Sequence, residues 1–330
     1  MVDTMNSFWK SLERPFFVLA PMADVTDPAY RRLIAETAKP DVTWTEFVSA
    51  DGLYHTREKK GMKDGTNPLV RDLAYTSKER PIVAQLFGSN SKTMTYAARY
   101  CAERGFDGID LNMGCPDRSI EKQGAGAAMI KSIESAKAVV AAARESGLPV
   151  SVKTRIGYNS ETIDEWISAL LALELPALTV HLRTRKEMSL VPAHWELMPR
   201  IVALRDAISS GTLIIGNGDV KSIDDAKEKM ATSGTDGAML GRAIFGNPWV
   251  FSGRSPEEIA PVEKLDALLK LAHNFSELKP HKSFHLLKKH FKAFVVGWEG
   301  AAQLRTCLME TSSVEELTIE LENYKKVTRP

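Results

Sequence analysis

The feature that most constrains this 330-residue chain is an alternation of short β-type runs with longer helix-patterned segments. The β-type runs are residues 16–22, 42–50, 81–88, 108–114, 149–157, 177–183, 212–218 and 237–243. Between them, residues 27–38, 91–104, 132–146, 161–174, 194–208 and 222–230 carry helical spacing, the first opened by Asp27 as N-cap and Pro28 in the first turn. Residues 68–73 read as a segment that pairs locally. Eight βα units over about 240 residues are the rhythm of a (β/α)8 TIM barrel, an α/β fold. A doubly wound sheet fits less well, because no G-x-G-x-x-G follows the first run.

Beyond Pro248 the spacing changes. Residues 261–324 are helical throughout, which predicts a C-terminal α-helical domain of three or four helices after a linker at 252–261. The expected domains are therefore 1–251 and 252–330. Within the second, residues 279–292 hold five lysines, three histidines and no acid, a pattern that suits either a solvated helix face or RNA contact.

Composition excludes several classes. Hydrophobic residues at 44% and charged residues at 26% are ordinary for a globular chain, and a net charge of +1 leaves nucleic-acid binding to local patches. Cys101, Cys115 and Cys307 are far apart and form no CxxC, which argues against a disulfide framework or a metal site and for a reducing cytoplasm. Residues 1–14 are too polar for a signal peptide. No apolar run approaches the roughly 20 residues of a membrane span, so no membrane association is expected.

The chemistry gathers where the β-runs end, as barrel active sites do. Those ends carry Pro21 and Met22; Gln85; Asn112 and Cys115; Lys153 and Arg155; His181, Arg183 and Thr184; Asn217, Gly218 and Asp219; Gly241 and Arg242. Hydrophobic barrel strands have no packing reason to end this way so consistently. The fourth run stops at Asn112-Met113-Gly114-Cys115-Pro116, where Pro116 cannot continue a ladder and Gly114 is expected to make a turn. A free thiol of pKa about 8.5 is mostly protonated at neutral pH, which suits a proton donor. Gly216-Asn217-Gly218-Asp219 and Gly241-Arg242 suit a phosphate, with residues 243–251 as the short extra helix often found there; two ordinary tight turns are the alternative. Lys153 inside a barrel mouth needs an anionic partner, either Asp110 or Asp219 or the edge of a reduced flavin that Gln85 could also bond. FMN would use both halves of this set.

In order along the chain, these motifs are Ala20-Pro21-Met22-Ala23 with Thr26-Asp27, Gln85-Leu86-Phe87-Gly88-Ser89, and Asp110 through Pro116. They continue with Val152-Lys153-Thr154-Arg155, His181 with Arg183-Thr184-Arg185, Asn217-Gly218-Asp219, and Asp236-Gly237 with Gly241-Arg242. From about residue 14 to 252 this pattern resembles the tRNA-dihydrouridine synthases. Gly246-Asn247-Pro248-Trp249 and Lys289-His290 extend the resemblance. Asp24 in place of a small residue, Leu182 in place of a frequent glycine, and residues 188–194 without Tyr-x-Gly depart from the family pattern.

The resemblance implies a flavin barrel with a C-terminal helical domain that holds tRNA. It implies that Pro21, Met22, Ala23, Gln85, Lys153, Asn217, Gly218, Asp219, Gly241 and Arg242 hold FMN, with His181 beside the ring. Asn112, Lys153, Arg155 and Arg183 would lie near the uracil. NADPH or NADH would reduce the flavin, a hydride would pass to C6 of a uridine, and Cys115 would protonate C5. The partner would be tRNA, read mainly by backbone and shape, and a monomer is expected. Two rivals are a flavin barrel acting on a small molecule, similar to dihydroorotate dehydrogenase, and an RNA chaperone or flavin-binding protein that keeps the fold without turnover.

Overall fold

The computed structural model describes residues 7–277 and 282–328. Its strands are β1 (Phe16–Leu19), β2 (Thr43–Trp44), β3 (Val48–Ser49), β4 (Ile82–Phe87), β5 (Gly108–Met113), β6 (Val150–Arg155), β7 (Ala177–His181), β8 (Leu213–Asn217) and β9 (Gly237–Leu240). All neighbours are parallel, in the order β1-β9-β8-β7-β6-β5-β4-β2, with β3 also on β4. The Leu19 amide donates to the Val42 carbonyl (3.2 Å) and closes the ring between β1 and β2. This is the expected TIM barrel.

The run expected at 42–50 is one barrel position made of two strands. The Gln85 amide donates to the Thr45 hydroxyl (3.1 Å) instead of to a carbonyl, and that hydroxyl donates to the Glu46 carbonyl (2.8 Å). A side chain thus takes over one rung of the ladder. Residues 68–73 do not pair as a strand. Asn67 accepts from the Leu69 amide (3.1 Å) and Pro68 opens the helix Pro68–Asp72, so the cap outweighed the apolar run. The stretch at 161–174 becomes helical only from Ile163, and its first turn is a π-turn.

Side chains of parallel strands alternate between the barrel interior and the helices outside. The amino-terminal half of the interior is apolar, with Phe16, Val18, Trp44, Val83, Ile215 and Met239 in one cluster. Trp9, on the short turn Phe8–Ser11, seals that end against Trp44 at 5.8 Å between ring centroids. The carboxyl half of the interior is polar and holds the site.

The chain then forms helices Pro261–Ser276, Lys288–Phe294, Ala301–Glu310 and Val314–Thr328. They pack on the barrel helix Pro28–Thr37, where Tyr30, Leu33 and Ile34 share one buried cluster with Leu268, Leu271, Phe291 and Phe294. The extra helix expected at 243–251 is instead two short 3-10 turns, Arg242–Ile244 and Val250–Ser252. Gly246 lies between them at φ +69°, and an added Cβ would stand 2.1 Å from the Ala293 carbonyl. The chain bends there because the tail's backbone is in contact with it.

Of the basic run, Lys279, Pro280 and His281 lie outside the described residues. The rest is not a solvated face throughout. Lys282 is buried and pairs with Glu46 (3.0 Å), Asp72 (3.3 Å) and Asp24 (3.6 Å). His290 is buried, stacked on Tyr30 (4.8 Å) and Phe245 (6.0 Å). His285 and Lys292 are exposed.

Candidate active site

Register assembles the site. Gln85 pairs with Asp110, Asn112 with Lys153, Arg155 with His181, and His181 with Asn217. The same inward phase therefore runs across β4 to β8 and places these side chains side by side around the mouth.

A cavity of about 260 Å³ opens at this end, lined by Ala20, Pro21, Met22, Lys153, Arg155, His181, Arg183, Ser189, Asn217, Gly218, Asp219, Val220, Met239, Gly241 and Arg242. Ala23, Gln85, Asn112 and Cys115 stand outside its lining. A larger cleft of about 740 Å³ lies at the opposite end, around Trp9, Arg14 and Ser209, where Arg14 is already paired with Asp236 (2.6 Å). None of the strand-end groups reaches it.

On the β8–β9 side, Gly218 adopts φ +123°, and an added Cβ would sit 2.7 Å from Ala193 and 3.2 Å from the His181 ring. Only glycine lets this backbone lie against the imidazole. Trp195 donates from its indole to the Gly218 carbonyl (2.7 Å) and props the turn. Asp219 accepts from the Ala193 amide (2.9 Å) and from the guanidinium groups of Arg183 and Arg242. Burial pushes its carboxyl up, but those bonds outweigh burial and hold it below the ordinary value. Asp219 therefore orients two cations. Arg242 is 67% exposed at the rim, where it can reach an anion.

Lys153 donates to Asn217 (3.2 Å), whose amide donates to the Met239 carbonyl (2.9 Å). Among the described residues no carboxylate lies within ion-pair distance of its ammonium. Asp219 is occupied as above, and Asp110 accepts from Ser151 (2.6 Å) and Gln85 (2.6 Å). Burial, then the nearby Arg155, lowers Lys153 from 10.5 to about 8. Burial also lifts Asp110 to about 6. His181 is pushed well below its usual value by burial and the surrounding cations. Arg183 has only protons to offer, so its 3.1 Å contact with His181 Nε2 makes that nitrogen the acceptor of a neutral ring protonated at Nδ1.

Gln85 is fully buried and accepts from Asn112 (3.0 Å) while donating to Asp110, so it forms part of the floor. Asn112 Oδ1 accepts from the amides of Gly114 (3.1 Å) and Cys115 (2.9 Å), which shapes the turn carrying the thiol. Gly114 itself has ordinary backbone angles. It is glycine because a Cβ would press within 3.2 Å of the Thr154 backbone. Arg155 Nε donates to the Gly114 carbonyl (2.7 Å), linking the cavity wall to the Cys115 turn. Burial raises the Cys115 pKa, and the thiol is partly buried with Arg155 and Lys153 close enough to act on it.

Comparison with known proteins decides the family. The family described as dihydrouridine synthase (Dus) matches residues 18–329. The chain belongs to the dihydrouridine synthase family. It is 39% identical over 327 residues to the probable tRNA-dihydrouridine synthase 2 of Bacillus subtilis (strain 168), covering 97% of each chain. It is also 39% identical over 326 residues to the probable tRNA-dihydrouridine synthase of Staphylococcus aureus (strain COL), covering 97% of this chain and 96% of that one. The fold is similar to that of a 2-naphthoyl-CoA reductase solved with 2-naphthoyl-CoA, at TM-score 0.53 and 10% identity, covering 74% of this chain and 50% of that one. Dihydrouridine synthases are flavin-dependent oxidoreductases.

In this member of the family, four cavity-lining residues were not among the expected site residues, the first being Ala20, which sequence reasoning placed in a motif but gave no role. Ser189 belongs to a loop with no β or helical period, and Val220 and Met239 read as ordinary apolar positions. Asp24, one departure from the family pattern, sits at φ +56° and takes part in the ion cluster around Lys282. Among the described residues no group of acids, cysteines and histidines could hold a metal ion, and no helix is long and apolar enough to cross a membrane.

Proposed function

We propose that this chain is a tRNA-dihydrouridine synthase that uses FMN, reduced by NADPH or NADH, to convert a tRNA uridine to 5,6-dihydrouridine. The observation that carries this reading is a half-buried ammonium, Lys153, bonded among the described residues to an amide alone, near a thiol that burial keeps protonated. The residues fit FMN. Arg242 and the backbone at Gly218 and Gly241 would hold its phosphate, and Lys153 would face the electron-rich edge of its ring. Pro21, Met22, Ala23 and Asn217 would bound the ring, with neutral His181 beside it. When bound and reduced, FMN supplies the hydride for C6 of the uracil.

The chain's own residues do the rest. Cys115 donates its proton to C5 as the hydride arrives at C6, and the resulting thiolate takes a proton back from solvent. Asn112 sets the Cys115 turn, and Gln85 and Asp110 lock Asn112 in place. Arg155 and Arg183 commit donors to loop carbonyls at Thr184 (3.1 Å), Met188 (2.9 Å) and Val191 (2.6 Å), so they hold the wall against which the uracil would rest. Bringing the base to two fixed groups at once is positioning catalysis. Residues 252–330 form the tRNA-holding unit in this reading, and the enzyme works in the cytoplasm as a monomer. The Cys115→Ala variant tests it. It should keep a yellow flavin yet lose about a hundredfold or more in uridine reduction, the scale of a lost general acid. An unchanged turnover number removes Cys115 from the mechanism.

A further inference from the structure

Residues 184–194 form a loop over the rim of the cavity that is held far more firmly than its exposure requires. Arg155 Nη1 donates to the carbonyls of Thr184 (3.1 Å) and Met188 (2.9 Å), and Arg183 Nε donates to that of Val191 (2.6 Å). Both arginines line the cavity. Glu187 ties the loop across itself, accepting from the Thr184 amide (2.7 Å) and meeting His194 Nε2 at 3.0 Å. Arg185 pairs with Glu121 from the unit that follows β5, across β6. The tip these anchors present is apolar. Met188 is 42% exposed and Leu190 is 84% exposed, the highest value among the exposed large apolar side chains; between them Ser189 lines the cavity. The other exposed large apolar residues stand singly in the sequence. Met188 also adopts φ +56°, a costly conformation for a long side chain, with its carbonyl held by Arg155.

A rigid, strained loop that projects two apolar side chains into water at a pocket rim has no role in the packing of the fold. On the reading of the site as one that reduces a uridine of tRNA, the target base has to leave its stack, and the gap it leaves exposes the neighbouring base. Apolar side chains inserted between bases fill such gaps. We propose that Met188 and Leu190 are an apolar wedge that occupies the RNA stack beside the target uridine and keeps that uridine extruded over the cavity. Arg155 at the loop's base fits the same partner: it has no carboxylate within ion-pair distance among the described residues and places positive charge beneath the tip, while Arg183 is paired with Asp219.

The test uses full-length protein with bound flavin and unmodified tRNA whose reduced uridine has been mapped by mass spectrometry. Failure of the wild-type protein to reduce any uridine counts against the proposed function and is read separately. With an active wild type, Leu190→Ala should lower kcat/KM on intact tRNA about tenfold, in line with the loss of one stacking contact, and Leu190→Met should restore most of it. On tRNA carrying an abasic site next to the target uridine, where no stack remains to be opened, the Leu190→Ala deficit should shrink to about threefold or less. Equal kcat/KM for wild type and Leu190→Ala on intact tRNA overturns the proposal. A deficit that persists undiminished on the abasic substrate also overturns it and assigns the tip to some other contact.

Discussion

Lys153 shows how much one residue's surroundings can determine. An ammonium next to Asn217 rather than a carboxylate has a pKa lowered to about 8, because burial and then the neighbouring Arg155 disfavour its charge more than Asp110 and Cys115 favour it. Binding an anionic ring restores it, so cofactor affinity should track the charged form. Titrations of the apoprotein with reduced flavin under anaerobic conditions should show no loss of affinity from Lys153 below pH 8, then weakening by up to about tenfold per pH unit above it. Lys153→Met should bind flavin weakly at every pH and show no such break; a break of the same size in that variant refutes the assignment. The place of Lys153 in the cavity wall was legible in the sequence because polar residues ending an apolar strand have only the barrel mouth to occupy, whereas Cys115, past the strand end, stands outside that lining. The partner of Gln85 was not legible. Which of its neighbours it bonds depends on the β4–β5 register that sets it beside Asp110, and register is not written in either strand alone.

At the scale of elements, the strands were legible because parallel strands covered on both faces read as continuous apolar runs. Helix and strand were confused where a short apolar run carried a cap, as at Asn67-Pro68. The solvated-face reading of residues 279–292 holds only in part, for a different reason. Charge composition does not reveal that acids 200 residues and more away in the chain, such as Glu46, fold against it. His290 makes the point testable. Its ring is buried against Tyr30 and Phe245, Nδ1 has no partner among the described residues, and burial lowers its pKa from 6.5 to about 3. Between those two values the unfolded chain binds the extra proton and the folded chain does not, so stability falls as pH drops through that window. His290→Phe keeps the stack and removes the titration. Thermal unfolding should give it an equal or higher Tm at pH 7 and a visibly shallower loss of Tm from pH 6.5 toward pH 4. An unchanged acid limb contradicts the assignment.

Across the whole molecule, the barrel and the helical tail are joined by an apolar seam around Tyr30, Phe291 and Phe294, and by an ion cluster in which the Lys282 and Glu46 side chains are buried and Asp72 and Asp24 stand nearer the surface. Removing Lys282 leaves the buried Glu46 without its cation. Lys282→Met should therefore cost about 3 kcal/mol or more in urea unfolding, as a buried pair broken on one side does. Lys292→Ala, at an exposed position of the same run, should change stability by less than about 0.5 kcal/mol. Equal effects would show that the cluster does not hold the tail. Such a seam suits a tail that presents folded tRNA to the mouth at a set distance. Reduction of a pyrimidine at that mouth is the central claim, and one measurement reaches it directly. Unmodified tRNA incubated with the flavin-loaded protein and NADPH, then digested and read by mass spectrometry, should show a gain of two hydrogens confined to uridine positions. Unaltered nucleoside masses alongside continued NADPH consumption would contradict it.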